Sequence, residues 1–194
     1  MRDLPDENTQ ENAQIIIDET RRLTDLVNDM LDISKLQAGV QMLNLSEFNL
    51  TRMIQKMVER IRELVKKHGY SIKFIYDAEV HVTADETRIS QAFYNLLTNA
   101  INYTGEDKTV VVKQKVYKNN VRIEVIDTGE GIAPEDLPYI WDRYFKVDKS
   151  HKRSVMGTGL GLSIVKSIIE MHEGKYGVSS KPNNGSIFWF SLKR

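Results

Sequence analysis

The residues with the clearest chemical potential form a glycine-rich run at positions 157–166, Gly-Thr-Gly-Leu-Gly-Leu-Ser-Ile-Val-Lys. Three glycines alternate with larger residues, and apolar residues then recur at spacings of three and four through Ile169. This pattern predicts an amphipathic helix that begins directly after a glycine-rich loop. Glycine lets the backbone approach a ligand closely, and a helix N-terminus presents free N–H groups and a positive dipole. The run therefore predicts an anion site, most often one for phosphate, although a flexible turn before a helix would have the same pattern.

Two asparagines, Asn95 and Asn99, lie four residues apart in a segment predicted to be helical from the N-cap Asp85 to about Tyr103. This spacing places both amides on one face of the helix, and the apolar residues between them face the core. Asparagine is unfavourable inside a helix, so a stacked pair suggests a polar role, such as holding a hydrated magnesium ion through carbonyl oxygens. Exposed surface amides are the alternative interpretation.

A third motif, Asp-Thr-Gly-Glu-Gly-Ile at residues 127–132, follows a predicted strand. A carboxylate at the end of a strand can accept a hydrogen bond from an exocyclic amine, and the glycines leave room for a flat ring. Many tight turns share this pattern without binding a ligand.

The segment Trp-Asp-Arg-Tyr-Phe-Lys at residues 141–146 interleaves aromatic residues with charge. A hydrophobic plug that anchors a loop explains it as well as a ligand contact does. In either case Trp141, Tyr144 and Phe145 are predicted to be docked apolar anchors.

Composition excludes several classes of protein. With 194 residues, 41% of them hydrophobic, the chain can bury one good core and carry an appendage. Lys plus Arg and Asp plus Glu both number 27, so no global field attracts nucleic acid or an anionic membrane. There is no cysteine, hence no disulfide scaffold and no thiolate metal site. No apolar run approaches the roughly 20 residues of a membrane span, and no signal peptide is visible, so the chain as given is expected to be soluble.

The elements that must position these motifs begin with one long helix over residues 1–40. Its apolar residues follow a short heptad seam: Ile16, Leu23 and Met30 and, offset by three, Leu26 and Ile33. Such a stripe requires a second helix or a second chain as its partner, or else it packs on the domain as a lone amphipathic helix.

Residues 41–47 are predicted to be a linker, and a mixed α+β region follows. Three helices are predicted in this region. The first runs from the N-cap Asn49 to Gly69, the second begins after Asp85 and the third after Gly157. Strands are predicted at residues 71–76, 81–83, 109–117, 121–127, 175–180 and 186–192. Because hairpins join several strands while helices separate others, we expect a mixed sheet with helices on one face.

In chain order these motifs resemble the N, G1, F and G2 boxes of bacterial sensor histidine kinases. The motifs are Asn95-x-x-x-Asn99, Asp127-x-Gly129-x-Gly131, the cluster at 141–146 and Gly157-x-Gly159-x-Gly161. Residues 26–36 resemble the second helix of that family's dimerisation domain. The resemblance implies a two-layer Bergerat (GHKL) sandwich preceded by a coiled-coil-like helix. It divides the chain into a partial dimerisation domain at 1–40, a linker at 41–47 and a catalytic ATP-binding domain at 48–194, with a lid at about 133–156.

The resemblance also implies roles for individual residues. Asp127 would bind the adenine amine with Gly131 beside the ring, Tyr103 would pack on the base, and Asn99 would hold Mg²⁺ with Asn95 toward the phosphates. The implied ATP-binding set is Asn95, Asn99, Asn102, Tyr103, Asp127, Gly129, Gly131, Ile132, Lys146, Gly157, Thr158, Gly159, Leu160, Gly161 and Ser186.

Three residues of this set depart from the family pattern. Lys146 stands where an arginine is usual, which keeps the charge but loses the bidentate geometry. Asn102 replaces a common basic residue, which puts that phosphate contact in doubt, and Ser186 replaces a threonine but keeps its hydroxyl.

The family's phosphoacceptor histidine has no counterpart here, so no catalytic residue is assigned. The four histidines are His68, His81, His151 and His172, and none lies in the dimerisation helix. The sequence is therefore expected to be a fragment that begins after the helix carrying the acceptor and that cannot phosphorylate itself.

Phosphoryl transfer from ATP to a histidine, for relay to an aspartate of a response regulator, is the activity that the resemblance implies. Hydrolysing relatives place a glutamate one turn before the magnesium asparagine, and Asn95 at that position cannot take a proton. A GHKL-type ATPase and a nucleotide-binding pseudokinase that docks partners remain the alternatives. The implied partners are a second copy, joined through the N-terminal helix, and a response regulator, with no nucleic acid and no membrane contact. The expected location is the cytoplasm, with a parent protein anchored in the cell membrane.

Overall fold

The computed structural model describes residues 42–146 and 158–194, together with Ile17, Thr20, Leu23, Thr24 and Val27. Those five N-terminal residues are helical, and the Thr24 hydroxyl donates a hydrogen bond to the Thr20 carbonyl oxygen at 2.9 Å. The predicted N-terminal helix is confirmed at these positions. The rest of its heptad seam lies outside the described residues.

The elements follow in the order β1 (Ser46–Asn49), α1 (Leu50–Val65), β2 (Ser71–Tyr76), β3 (His81–Ala84), α2 (Glu86–Tyr103), β4 (Thr109–Val116), β5 (Asn120–Asp127), α3 (Gly161–Met171), β6 (Lys175–Ser180) and β7 (Ser186–Lys193). A five-stranded sheet has the order β2-β4-β5-β7-β6, and β1 pairs with β3 in a separate two-stranded sheet. In the large sheet β2 and β4 are parallel and all other pairs are antiparallel. The prediction of a mixed α+β sheet is confirmed.

Buried apolar and more exposed side chains alternate along the central strands, and the buried apolar ones face the helices that cover one side of the large sheet. Val121, Ile123 and Val125 on β5 are fully buried, as is Phe190 on the neighbouring strand β7. The buried side chains of α1, α2 and α3 belong to the same core, among them Ile54, Phe93, Leu97, Ile164 and Ile168. Because a fully buried aliphatic or aromatic side chain contributes about 1.5–3 kcal/mol, this layer dominates the stability of the domain.

The ends of the helices confirm the predicted caps. The side chain of Asn49 accepts a hydrogen bond from Arg52 N at 2.9 Å, and that of Asp85 accepts one from Arg88 N at 3.1 Å. Gly69 ends the turn after α1 with a left-handed φ of 80°, which glycine adopts without strain. An N-cap of this kind contributes about 1 kcal/mol.

Two boundaries differ from the predictions. Ser46 and Glu47, predicted to belong to the linker, form β1 and pair with Ala84 and Thr83 of β3. So short a strand is stabilised by its partner and has too few residues to show a period. The third helix begins at Gly161, so residues 158–160 remain a loop. In the described part of the chain, no helix combines the length and the apolar content needed to span a membrane.

Candidate functional site

Asp127 ends strand β5, and its side chain is held in a fixed position. The residue is 4% exposed, and its Oδ1 accepts hydrogen bonds from the backbone N–H groups of Gly129 at 2.9 Å and Ser186 at 3.2 Å. Burial raises the pKa of the carboxyl group, and the two backbone donors partly oppose this shift. Among the described residues no donor reaches Oδ2. One carboxylate oxygen is therefore fixed by the backbone, and the other can accept a hydrogen bond from a ligand.

The glycines after Asp127 are required by close backbone packing. A Cβ atom on Gly129 would lie 1.9 Å from the carbonyl oxygen of Tyr103, the last residue of α2. Gly131 has a φ of 71°, and a Cβ atom there would lie 2.0 Å from the carbonyl oxygen of Lys181. The turn thus lies against both α2 and the β6–β7 connection, and no side chain fits at either position.

The hydroxyl of Ser180, which was not among the residues predicted from the sequence, contacts both Ile132 and Ser186. Its Oγ accepts a hydrogen bond from Ile132 N at 2.9 Å, donates one to the Gly185 carbonyl oxygen at 2.8 Å and lies 3.0 Å from Ser186 Oγ. Ser186 is also the register partner of Asp127. The sequence contained a signal for Ser180, because the turn at 182–185 makes residues 180 and 186 opposite each other in the hairpin.

The C-terminal end of α2 closes this part of the site. Tyr103 is 43% exposed, and the hydroxyl of the following residue, Thr104, lies 3.0 Å from that of Thr128. The Thr128 hydroxyl also donates to the Asp107 carboxylate, which lowers the pKa of Asp107. These contacts connect the loop after α2 with the turn after β5, and they leave the Tyr103 ring partly accessible.

The two asparagines of α2 lie on its half-buried face, and one of them contacts the start of α3. Asn95 Nδ2 donates a long hydrogen bond, 3.4 Å, to the carbonyl oxygen of Gly161. Asn99 is half-buried, and within the described ranges its amide makes no hydrogen bond to another residue. Asn102 is exposed. The arrangement leaves the amide of Asn99 available to a ligand.

The loop before α3 packs against the segment that follows Ile140. Leu160 is fully buried, and its N–H donates to the Thr158 hydroxyl at 3.2 Å. Gly159 has a φ of 73°, and its carbonyl oxygen accepts a hydrogen bond from Tyr144 N at 2.9 Å. Gly157 lies outside the described residues.

The aromatic segment is only partly docked. Trp141 makes edge contacts with Tyr176 and Phe188, at centroid distances of 4.7 and 6.0 Å, and Phe145 is half-buried. Tyr144 is 56% exposed, so the prediction that it is a docked anchor is wrong. Its backbone has a φ of 63° and donates to Gly159, and this local conformation accompanies a ring that does not pack on the core. Lys146, which follows, is exposed.

The contacts therefore form two groups of residues. At the end of β5, Asp127, Gly129, Gly131, Ile132 and Ser186 meet through Ser180 and the end of α2. At the start of α3, Asn95 meets Gly161 beside the loop that contains Thr158, Gly159 and Leu160. Helix α2 connects the groups, because it contains both asparagines and ends at Tyr103.

The donor set fits a metal ion that is brought by a phosphate ligand. Among the described residues no three His, Asp or Glu side chains converge on one point. Magnesium is commonly bound through few protein ligands, with waters and substrate phosphates completing its octahedral coordination. The neutral amide of Asn99 suits such an ion.

Comparison with known proteins shows the family to which this chain belongs. Residues 84–194 match the family model of histidine kinase-, DNA gyrase B- and HSP90-like ATPases, and residues 1–39 match the His Kinase A (phospho-acceptor) domain. The chain therefore belongs to the family of histidine kinase-, DNA gyrase B- and HSP90-like ATPases.

Individual relatives make the comparison more specific. The chain is 31% identical over 180 residues to the sensor-like histidine kinase SenX3 of Mycobacterium tuberculosis strain H37Rv, a match that covers 93% of this chain and 44% of SenX3. The full-length ShkA structure in complex with AMPPNP superposes with a TM-score of 0.83 at 26% identity, over 98% of this chain and 40% of that one. The histidine kinase ThkA in complex with the response regulator TrrA gives 0.79 at 30% identity, over 98% and 52%. The chain thus spans less than half the length of SenX3.

Proposed function

We propose that this chain is the ATP-binding catalytic region of a two-component sensor histidine kinase. It transfers the γ-phosphoryl group of ATP to a histidine other than its own four. The observation that carries the proposal is Asp127, whose Oδ1 is fixed by two backbone donors while no donor from the described residues reaches Oδ2. The family match over residues 84–194 and the AMPPNP complex of ShkA support ATP as the ligand.

Adenine recognition follows from the geometry around Asp127. A charged acceptor at the end of β5 receives the exocyclic amine of adenine, and charge-assisted hydrogen bonds of this kind are stronger than neutral ones. Gly129 and Gly131 let the turn after Asp127 pack closely against the carbonyl oxygens of Tyr103 and Lys181, which fixes the turn beside the base. Tyr103, 43% exposed at the end of α2, packs on the base, and Ile132 and Ser186 complete this end of the site.

The phosphates lie toward the start of α3 in this proposal. Thr158, Gly159 and Gly161 supply backbone N–H groups at the N-terminus of α3, and both features favour anions. Leu160 belongs to the same loop and holds its shape, because its N–H donates to the Thr158 hydroxyl. We assign Gly157, Lys146 and Asn102 to the same end, with Lys146 as the cation nearest the phosphate chain.

Magnesium is assigned to Asn99, with Asn95 beside it. When bound, the ion neutralises phosphate charge and orients the γ-phosphoryl group for in-line transfer. The half-buried Asn99 amide, which makes no hydrogen bond to the described residues, supports this assignment. In the transfer the bond between the γ-phosphorus and the β,γ-bridging oxygen breaks, a P–N bond to the acceptor imidazole forms, and ADP leaves.

The amide at position 95 favours transfer over hydrolysis. A hydrolytic enzyme requires a base that activates water, and an amide cannot take the proton. Asn95 instead donates to Gly161, which supports a role in holding the start of α3. A GHKL-type ATPase remains the second candidate, favoured by the family match itself.

The proposal extends to the domain boundaries, the partners and the location of the chain. Residues 1–40 form part of a dimerisation domain, 41–45 a linker and 46–194, which include strand β1, the catalytic domain, with a lid at about 133–156. The match of residues 1–39 to the phospho-acceptor domain supports dimerisation through the N-terminal helix, and the ThkA–TrrA complex supports a response regulator as partner. ATP and response regulators are cytoplasmic, so we place the chain there, with its parent protein anchored in the cell membrane.

Phosphate release and phosphotransfer together test this proposal. The chain incubated with γ-labelled ATP and Mg²⁺ should acquire no acid-labile label, and it should release phosphate far below the enzymatic median of roughly 10 s⁻¹. A separately produced helical hairpin that contains the phosphoacceptor histidine should become labelled when it is added. Turnover near the median without acceptor labelling would favour the ATPase instead.

A further inference from the structure

The large sheet has a second face, opposite the helices, that the proposed function does not use. We call it the open face: it consists of every second residue of the five strands, on the side away from the core. The registers place Lys113, Glu124, Trp189 and Gly177 in one row across the sheet, and Lys115, Arg122, Ser191 and Lys175 in the next. Within the described ranges, the side chains that pack on the core from these strands belong to the other face.

A charged cluster occupies the centre of the open face. Glu124 is 6% exposed although no helix of the described part of the chain packs on this face, because Lys115 Nζ lies 3.0 Å and Arg122 Nε 3.2 Å from its carboxylate. The Arg122 guanidinium in turn stacks on Trp189, at 3.8 Å from the ring centroid. The two cations and the indole thus surround one buried carboxylate.

Arg122 has donors that the rest of the described chain does not satisfy. Its Nε is buried and has no hydrogen bond of acceptable geometry, despite its closeness to Glu124. The Arg122 side chain is nevertheless 29% exposed, and stacking on the indole fixes the guanidinium plane, so the edge formed by its two Nη groups, rather than the buried Nε, faces an incoming planar group. A carboxylate is the group whose geometry matches that edge in a bidentate way.

The charge of the whole face points to the same ligand. Lys73, Lys113 and Lys175 surround the central cluster on the open face, and Glu124, already paired, is the carboxylate among them. The complete chain has a formal net charge of zero, so this excess of cations is local. Electrostatic complementarity therefore favours an acidic partner.

The aromatic centre is held in place by a glycine. A Cβ atom on Gly177 would lie 2.5 Å from Trp189 Cζ2, so the indole lies flat across β6 at a position that has no side chain. Trp and Arg are the residue types most enriched at the energetic centres of protein interfaces. Half-buried apolar residues, Val111, Ile126 and Ile187, form the adjacent row. An apolar row beside a buried carboxylate fits a protein surface better than the closely spaced phosphates of nucleic acid or lipid.

We propose that the open face is a docking site for an acidic protein surface. A carboxylate of the partner binds the free edge of Arg122, an apolar side chain packs on Trp189, and Lys73, Lys113 and Lys175 form the charged rim. This inference stands apart from the nucleotide site and does not depend on it.

The test uses a fluorescein-labelled peptide of glutamates flanking a central pair of leucines, titrated by anisotropy into the complete chain with saturating ATP and Mg²⁺. We expect binding that weakens as salt rises, and about a tenfold loss of affinity for Arg122→Ala. The matched control is Arg60→Ala, which removes a cation from the exposed surface of α1 and should change the affinity less than about twofold.

Arg122 also pairs with a buried carboxylate, so thermal unfolding accompanies each titration. If Arg122→Ala does not fold, Lys175→Glu on the exposed rim tests the proposal instead, with Arg60→Glu as its control. We expect Lys175→Glu to lower the affinity for the peptide about fivefold and Arg60→Glu to leave it unchanged. No binding of the peptide, or equal losses in variant and control, would overturn the proposal. Tighter binding of oligothymidylate, or of phosphatidylcholine vesicles containing phosphatidylglycerol, would also overturn it in favour of a nucleic acid or a membrane.

Discussion

The two ends of the candidate nucleotide site are built in different ways. At the end of β5, Asp127 is fixed by backbone donors, and Gly129 and Gly131 have carbonyl oxygens within 2.0 Å of where a Cβ atom would lie. At the start of α3, one long hydrogen bond, from Asn95 of α2 to Gly161 of α3, connects the described site residues of these two helices. We call the residues at the end of β5 the base end and those at the start of α3 the phosphate end. The base end is a preformed part of the sheet, whereas the phosphate end depends on side-chain amides and a loop. We infer that the base end determines which nucleotide binds and that the phosphate end adapts to it.

The largest expected difference between the two ends is in the effect of replacing a glycine by alanine on the stability of the fold. Gly129→Ala places a methyl group 1.9 Å from the Tyr103 carbonyl oxygen, so it should destabilise the fold by more than about 2 kcal/mol and abolish ATP binding. In Gly161→Ala the new atom meets Asn95 at 3.8 Å, an ordinary contact, so the stability should be unchanged or higher by up to about 1 kcal/mol. Thermal unfolding and ATP calorimetry of both variants check this. Equal destabilisation by the two variants would contradict the contrast.

Removing the Ser180 hydroxyl should weaken the base end by a smaller amount. Ser180→Ala leaves the backbone N–H of Ile132 without its acceptor and takes a neighbour from Ser186, which costs about 1–3 kcal/mol. We expect part of this cost to appear as weaker ATP binding. Calorimetry with Ser179→Ala, an exposed neighbour, as the control measures it. An ATP affinity equal to that of the control would show that Ser180 does not support the site.

A base introduced at the phosphate end should have a modest effect. Asn95→Glu supplies a proton acceptor one turn before Asn99 on the same face of α2. General-base catalysis contributes about 10²–10⁴-fold in prepared sites, and a single base introduced into a site not built for hydrolysis should realise only a small part of that. Phosphate release should rise above the wild-type background, and Asn95→Gln is the control. A rate that does not rise would indicate that the phosphate end cannot position water.

The smallest expected effect is on the pH dependence of stability. Burial raises the pKa of Asp127 above the ordinary value of 3.8, so between the two values the folded protein binds more protons than the unfolded protein. The contribution of this group to stability therefore declines as pH rises through that window. Asp127→Asn removes the decline, so its stability relative to wild type should be higher at pH 7 than at pH 4. Denaturant unfolding at both values checks the sign, and a relative stability that falls with pH would contradict it.

The sequence predicted the elements with strong patterns and missed those whose structure depends on a partner. The alternation of β5 and β7 and the caps Asn49 and Asp85 were recognisable because each is a local property. Strand β1 has too few residues for a period and forms by pairing with β3. Tyr144 was predicted to be docked from its residue type, but its left-handed backbone accompanies an exposed ring.

The candidate site shows the same division. Asp127 and the glycines after it could be predicted because a motif places them next to one another in the chain. Ser180 could have been found from the hairpin register alone. The stacking of Arg122 on Trp189 across β5 and β7 could not, because it depends on the pairing of strands that are distant in sequence.

The central claim is that the free oxygen of Asp127 reads the adenine amine, and calorimetry of Asp127→Asn with ATP tests it most directly. The change turns an acceptor into a donor facing another donor, so we expect a loss on the order of 2–4 kcal/mol, enough to abolish measurable binding. Asp77→Asn, the same change at an exposed position after β2, should bind ATP as wild type does. Thermal unfolding should show that both variants are folded. Equal ATP affinity for Asp127→Asn and wild type would contradict the account.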